Sequence, residues 1–322
     1  MKDDTNTTSR PGSSSKLDKD DLILFFVIAI SIALGIFFPS FGIIFEPFLL
    51  VSLGLLLFLS LLKMNLRQLL SQFRRPIPLI IFTILKLLVI PLLLFLITSR
   101  IYPSLALPVL LLSGISTGLG APFVINIIER SNRLPFVVGS VIVTSITVPF
   151  VLPSFVYLLI DFREFNLPFV EMVFLLASAL LLPLTAGWVI KQNFPTWTKK
   201  IETHSSVPSL VMISVINLGI FAKYSDHFFA QSSFVVAMFS AAFVLFFVYG
   251  FIGYLAGYFL DKNDKSFRVA AFVSMSYVNN ILVVVFAAKF FGDEIAALAA
   301  FYNFAYYGMM IPIKWLFLGG KS

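Results

Sequence analysis

The sequence predicts an all-α integral membrane protein that crosses the bilayer ten times. Of its 322 residues, 59% are hydrophobic and only 12% are charged. The mean hydropathy is +0.98. Soluble domains carry about a quarter charged residues, so the excess of Leu, Ile, Val and Phe must face lipid or other helices. A span needs about 20 mainly apolar residues, which leaves room for roughly ten. Apolar runs broken by charges, Pro and Gly place the spans at 22–38, 47–62, 76–98, 105–128, 134–160, 168–190, 207–222, 233–260, 269–291 and 295–318.

The chain before the first span predicts a disordered cytoplasmic tail at 1–21. This stretch is rich in Ser, Thr, Asp and Lys and has almost no apolar residues. It contains no short apolar region with a small-residue cleavage site, so we expect no signal peptide. One membrane domain then covers 22–319.

The placement of Lys and Arg predicts that both termini lie in the cytoplasm. With ten spans, 18 of the 23 basic residues fall on the side of the termini and four on the other, while Lys86 lies inside span 3. Cytoplasmic loops carry such an excess. The asymmetry explains the net charge of +7 without a nucleic acid partner. We expect a plasma or inner membrane protein, a monomer or weak oligomer, with the lipid bilayer as its surroundings.

Spans 4 and 9 are the two most interrupted, and they lie five spans apart. A repeat of five spans is odd, so its second copy must insert upside down, which predicts a 5+5 inverted repeat of the kind found in secondary transporters. The ends of spans 1 and 6, GIFFP at 35–39 and GWVIKQNFP at 187–195, agree with this repeat. The alternative is that helix ends of this kind are common and that small residues allow close packing.

The interruptions predict two discontinuous helices with a binding site between them. Gly118, Gly120 and Pro122 break span 4, because Gly lowers helix stability and Pro lacks a donor. Unwound backbone in a membrane must be buried or line a wet cavity, where half-helix N-termini favour an anion and free carbonyls a cation. The candidate substrate- or ion-binding residues at the breaks are Ser116, Thr117, Asn126, Ser274, Ser276, Tyr277, Asn279 and Asn280, joined by Thr144, Ser145 and Asn303 from spans 5 and 10.

Lys86 is the strongest single candidate for a functional residue. It lies about ten residues into span 3, which places it about 15 Å deep, near the centre of the hydrocarbon core. No Asp or Glu lies at a comparable depth. An intramembrane ionisable residue indicates function by default. Lys86 must be neutral, bound to carbonyls and to Asn or Ser oxygens, or paired with an anionic substrate; a purely structural lysine held by carbonyls is the alternative.

Several kinds of chemistry find no support. With no Cys, the chain has no disulfides, Fe–S clusters or thiolate metal sites. We find no phosphate loop, no HExxH pattern and no nucleophile elbow. We therefore expect neither an enzyme nor a cofactor, and the residues leave open whether sodium, a proton or no ion is coupled.

Nearly the whole chain resembles the bile acid:sodium symporter family. The resemblance rests on an ordered set of segments, which are LGLLLFLSLLKMNLR at 53–67, RRP at 74–76, LKLLVIP at 85–91, the broken span 4, and the stretch from the Asn pair at 279–280 to FFG at 290–292. It implies a core domain of spans 3–5 and 8–10, with spans 4 and 9 crossing where they unwind, and a panel domain of spans 1, 2, 6 and 7. It also implies an organic anion held between the two domains and driven by sodium, which is possible near Ser274.

The departures from the family pattern concern the sodium site. A family Glu at the start of the span 9 motif aligns with Ser274, and a sodium-binding Gln of span 3 aligns with Lys86. The Gln-Asn-Ser-Gly of span 9 reads Val278-Asn-Asn-Ile, and a Ser-Asn pair of span 4 aligns with Pro122-Phe123. We therefore expect a secondary active transporter of a bile-acid-like, carboxylate or sulfonate anion, with the Lys86 ammonium in place of sodium. The alternatives are a sodium-coupled symporter typical of the family and an anion exporter of the auxin-efflux-carrier type.

Overall fold

The computed structural model describes residues 19–63, 76–129, 133–160 and 168–318. In these ranges the chain is helical and has no strand beyond one isolated bridge between Thr117 and Val278. Most of the tail predicted at 1–21 lies outside the described residues, and α1 begins at Lys19. The helices are α1 (Lys19–Phe37), α2 (Leu49–Lys63), α3 (Ile77–Ile101), α4 (Pro103–Ser113), α5 (Gly120–Glu129), α6 (Leu134–Leu159), α7 (Phe169–Asn193), α8 (Pro195–His204), α9 (Ser206–Lys223), α10 (Ser232–Leu260), α11 (Lys265–Ser276), α12 (Asn280–Phe291), α13 (Asp293–Gly308) and α14 (Met310–Leu318).

Within the described ranges, six helical stretches are long and apolar enough to cross a membrane. They are Pro39–Leu62, which joins two short turns to α2, together with α3, α6, α7, α9 and α10. The pair α13 and α14, bent by 49° at its junction, makes a seventh. These stretches agree with a multi-pass membrane protein. The apolar helices Leu22–Phe37, Pro103–Ser113 and Asn280–Phe291 are shorter, so a count of ten depends on further crossings that include them.

The structure differs from the predicted spans at two places. The connection between spans 6 and 7 contains a helix, α8, which the sequence analysis leaves as a loop. Span 3 is predicted as a regular helix, but Leu85–Val89 forms a π-turn in which the N–H of Ile90 bonds the carbonyl of Leu85. Pro91 has no N–H for the carbonyl of Leu87, and a wider turn accommodates that loss. Lys86 lies in this turn.

The helices pack in two groups. The first contains α1, α2, α7 and α9, and the second contains α3–α6 and α10–α14. Small residues bring the first group close together: a Cβ at Gly35 of α1 would lie 2.9 Å from the Cβ of Phe221 in α9. The groups meet where α7 packs against α6 and where α12 packs against α2 and α7. The two helix breaks lie in the second group.

Candidate functional site

Two helix breaks meet and satisfy each other's backbone. The first separates α4 from α5 at 114–119, and the second separates α11 from α12 at 277–279. The N–H of Gly118 bonds the carbonyl of Tyr277 at 2.7 Å, and the N–H of Asn279 bonds the carbonyl of Ser116 at 2.9 Å. Buried backbone groups need partners. Backbone groups that are left unpaired at one break therefore find their hydrogen-bond partners at the other break.

The predicted helix breakers have different local roles. A Cβ at Gly118 would lie 2.5 Å from the carbonyl oxygen of Val278, so only glycine lets the two breaks approach this closely. Gly120 is the first residue of α5, and Tyr306 fills the space that a Cβ there would need. Pro122 lies in the first turn of α5, where a missing N–H costs nothing. Pro122 is therefore the third residue of the helix that follows the break.

Thr117 ties the first break to two other helices. Its N–H bonds Thr144 Oγ of α6 at 3.0 Å, and its hydroxyl donates to the carbonyl of Ser274 in α11 at 2.8 Å. Thr144 in turn donates to the carbonyl of Ser140 at 2.6 Å. Thr117 is 1% exposed. The Ser116-Thr117 pair thus lies against Ser274, whereas Pro122 and Phe123 face a cavity described below.

Lys86 reaches from α3 to the second broken helix. Its Nζ donates to the carbonyl of Met275 at 3.1 Å, next to Ser274, and the side chain is 1% exposed. Among the described residues it forms no ion pair. The contact with a carbonyl is one of the three arrangements that the sequence analysis leaves open. Nothing in this arrangement brings Lys86 to the cavity wall.

Three buried serine hydroxyls in this region have no hydrogen-bond partner among the described residues. They belong to Ser116, Ser145 and Ser274. Each residue is bonded to, or is a chain neighbour of, a member of the Thr117–Thr144–Ser274 network. Hydroxyl and carbonyl oxygens are hard donors that suit a small cation or a water molecule. Among the described residues, however, this group contains no carboxylate.

Side chains of α13 form hydrogen bonds with the residues on either side of the second break. Tyr302 donates to the carbonyl of Ser276 at 2.6 Å, and Asn280 Nδ2 donates to Asn303 Oδ1 at 2.6 Å. Asn303 also donates to the carbonyls of Ala299 and Ala300 in its own helix. Tyr302 is not among the predicted site residues, although Tyr302 and Tyr306, four residues apart, mark the face concerned. The buried hydroxyl of Tyr277 has no hydrogen-bond partner in the part of the chain that the structure describes.

A cavity of about 730 Å³ lies between the two helix groups and ends at the breaks. Its apolar wall includes Leu24, Leu53 and Ile213, which the sequence analysis misses because they look like ordinary lipid-facing residues. None of the described lining residues is Asp, Glu, Lys or Arg. Among the predicted site residues, those that line it are Gly118, Gly120, Pro122, Asn126, Asn279 and Asn280. The rest, namely Lys86, Ser116, Thr117, Thr144, Ser145, Ser274, Ser276, Tyr277 and Asn303, lie in the buried polar network behind it.

Comparison with known protein families gives one match. The model of the sodium bile acid symporter family matches residues 50–231, more than half of the chain. The chain belongs to the sodium bile acid symporter family. Membership makes it a membrane transporter with a small-molecule substrate, in keeping with the expectation that it is not an enzyme. The match ends before the second break, so the family assignment rests on the first break and its surroundings. No curated protein matches the chain.

Proposed function

We propose that this member of the sodium bile acid symporter family is a secondary active transporter that moves a small organic anion by alternating access. The observation that carries the proposal is the cavity that ends at two mutually bonded helix breaks. Broken helices at matching places in two halves are the usual location of the substrate in such transporters. The cavity volume is within the range of pockets that hold a drug-sized ligand.

The proposal includes ten crossings in a 5+5 inverted repeat with both termini cytoplasmic. The seven long or bent stretches supply seven crossings. The helix Leu22–Phe37 and the broken pairs α4–α5 and α11–α12 supply the other three. The two helix groups would be the moving bodies, with α1, α2, α7 and α9 as panel and α3–α6 and α10–α14 as core. The close packing of α9 on α1 and of α2 on α7 and α9 supports the panel as one body.

An anion suits the cavity because of its polar end. The N-termini of α5 and α12 lie there, at Gly120 and Asn280, and helix N-termini attract negative charge. The side chain of Asn279 lines the same end, is 3% exposed, and has no hydrogen-bond partner among the described residues. The largely apolar walls suit a hydrophobic body, so we propose an amphipathic carboxylate or sulfonate.

Transport would be independent of sodium, with Lys86 in the place of a cation. Its ammonium bonds the carbonyl of Met275, and Ser274 has no charge to offer a sodium ion. Relative to the family pattern, Lys86 replaces a neutral Gln and Ser274 replaces an anionic Glu. The net charge of the site is therefore more positive by two units. Coupling to a proton carried by Lys86 would make this transport secondary active, and a facilitative carrier of the same anion is the alternative if no ion is coupled. A second alternative is a sodium-coupled symporter. The unpartnered hydroxyls of Ser116, Ser145 and Ser274 favour this alternative, because they could serve as sodium ligands.

Uptake into proteoliposomes tests the proposal. A panel of amphipathic carboxylates and sulfonates is offered with a sodium gradient, a proton gradient or neither. We expect uptake of at least one anion, and the same rate with and without sodium. Strong sodium stimulation in the wild type and in Lys86→Gln alike would contradict the role of Lys86. No uptake of any anion would contradict the transport proposal itself.

A further inference from the structure

The far side of the molecule from the cavity mouth carries a cluster of ion pairs between the two helix groups. Lys223, the last residue of α9, contacts Glu46 at 2.7 Å and Asp293 at 3.2 Å. Tyr224, which is 0% exposed, donates to the same Asp293 oxygen at 3.2 Å. Glu46 lies in the turn Ile43–Phe48, which packs on α9, so it belongs to the same group as Lys223. Asp293 begins α13 in the other group.

The cavity and this cluster lie at opposite ends of α9. Ser206, the first residue of α9, lines the cavity. The 18 residues of the helix separate it from Lys223, a distance of about 25 Å at 1.5 Å per residue. The first residue of α6, Leu134, also lines the cavity, which therefore extends to the helix ends at that face. The structure is open at one face and closed at the other.

An aromatic layer completes the closure beneath the ion pairs. Phe221 and Phe228 come from the chain around the end of α9, and Phe301 and Phe304 come from α13. The ring centroids of Phe228 and Phe301 are 4.8 Å apart, and those of Phe221 and Phe304 are 5.1 Å apart. Edge-on ring pairs at these distances exclude water.

We propose that Lys223 and Asp293 are gating residues of the transport cycle, forming a latch that holds this face closed while the other is open. The proposal rests on alternating access. When the two groups separate at this face, Lys223 keeps Glu46, which moves with it, and gives up Asp293. Lys223 therefore never becomes an unpaired charge, which lowers the barrier to opening. Asp293, 53% exposed, is solvated by water when it is released.

The absence of native cysteines makes the latch directly measurable. Ala297 is 0% exposed and lies four residues after Asp293 and four before Phe301, on the stripe of α13 behind the latch. In the proposed experiment, Ala297→Cys is introduced, and an impermeant maleimide labels the new thiol from the face that bears Glu46. Ser209→Cys reports the cavity from the opposite face, because Ser209 lines it. Ala222→Cys reports general loosening, since Ala222 packs against Gly35 and Gly42 within one group.

Neutralising the core partner should open the closed face. We expect Asp293→Asn to raise labelling at position 297 about fivefold and to lower it at position 209, as loss of a partly exposed ion pair predicts. Lys223→Gln should act in the same direction. The matched control is Glu294→Gln, an exposed neighbour with no ion pair among the described residues, and we expect it to change labelling less than about twofold.

Two results would overturn the latch. One is equal labelling at position 297 in Asp293→Asn and in the unmodified background; the other is an equal rise at position 222, which would indicate loosening of the whole fold. Labelling needs no substrate, so its result is separate from the uptake assay. A failed latch with intact anion uptake leaves the proposed function standing, and an altered labelling pattern without uptake leaves the latch standing.

Discussion

Lys86 and Met275 are joined by a hydrogen bond of 3.1 Å from the lysine Nζ to the backbone carbonyl, across 189 positions of sequence. The bond connects the π-turn of α3 to the end of α11, one residue from Ser274. It places the lysine Nζ beside the second helix break. The consequence for ion coupling is the first prediction.

Replacing the lysine at position 86 by an amide and adding a carboxylate at position 274 should make the proposed transport depend on sodium. In the double variant Lys86→Gln with Ser274→Glu, the ammonium is replaced by an amide and a carboxylate joins the hydroxyls of Ser116 and Ser145. We expect anion uptake that rises about tenfold or more with a sodium gradient, because the carboxylate supplies the missing charge. The measurement is initial uptake in proteoliposomes. The single variant Ser274→Glu is the control: its new carboxylate pairs with Lys86, and sodium should not stimulate it.

A methyl group at Gly118 should prevent the two breaks from meeting. A Cβ there would lie 2.5 Å from the carbonyl oxygen of Val278. We expect Gly118→Ala to destabilise the protein by about 1–3 kcal/mol, the usual cost of overpacking, and to abolish uptake. Thermal unfolding in detergent measures the first effect. Gly308→Ala is the control, because no atom lies within 4 Å of its added Cβ; equal losses in both variants would refute the argument.

Removing the Thr117 hydroxyl should weaken the contact between the two helix breaks while keeping the volume of the side chain. Thr117→Val keeps the shape but loses the bond to the carbonyl of Ser274, which stays buried without that donor. We expect a loss of about 1–2 kcal/mol in the free energy of unfolding. Thr147→Val is matched, since its hydroxyl only bonds Val143 within its own helix. The prediction fails if both variants unfold at the same temperature.

A negative charge at the polar end of the cavity should weaken anion binding. Asn279→Asp adds a carboxylate beside the N-terminus of α12, where the proposed anion binds. We expect affinity for the transported anion to fall about tenfold or more, from like-charge repulsion in a poorly solvated site. The ligand-induced shift in melting temperature measures it. Asn126→Asp, at an exposed position of the same cavity, should have a smaller effect because water screens it.

Much of the architecture can be predicted because the membrane constrains it. Apolar runs locate the long helices, and Gly118 and Asn279 mark the two breaks. Unwound backbone at that depth raises the free energy of the protein unless it is buried in protein or lines a cavity. The sequence analysis also identifies Lys86 as buried. The π-turn around it is harder to predict, because Pro91 alone does not show how the helix adjusts. The acceptor at Met275 is 189 positions away, beyond any local pattern.

The candidate site could be predicted only in part. The polar candidates share the region of the breaks, but sequence spacing does not separate the cavity wall from the network behind it. Asn279 faces the cavity and Thr117 does not, although both lie in unwound backbone. The apolar half of the wall, such as Leu53 and Ile213, has the same composition as a lipid-facing surface. Packing between the two helix groups decides which leucine meets substrate and which meets lipid.

The bonds between the breaks also affect how the protein is made. Thr117 leaves the ribosome long before Ser274, the acceptor of its hydroxyl, which lies 157 positions later. Until then, the N–H of Gly118 and the carbonyl of Ser116 lack the partners that the second break supplies, and unpaired amides in hydrocarbon cost several kcal/mol each. We therefore expect the nascent first half to stay beside the insertion machinery until the second half arrives. Chains truncated between the breaks should be recognised by quality-control proteases and degraded.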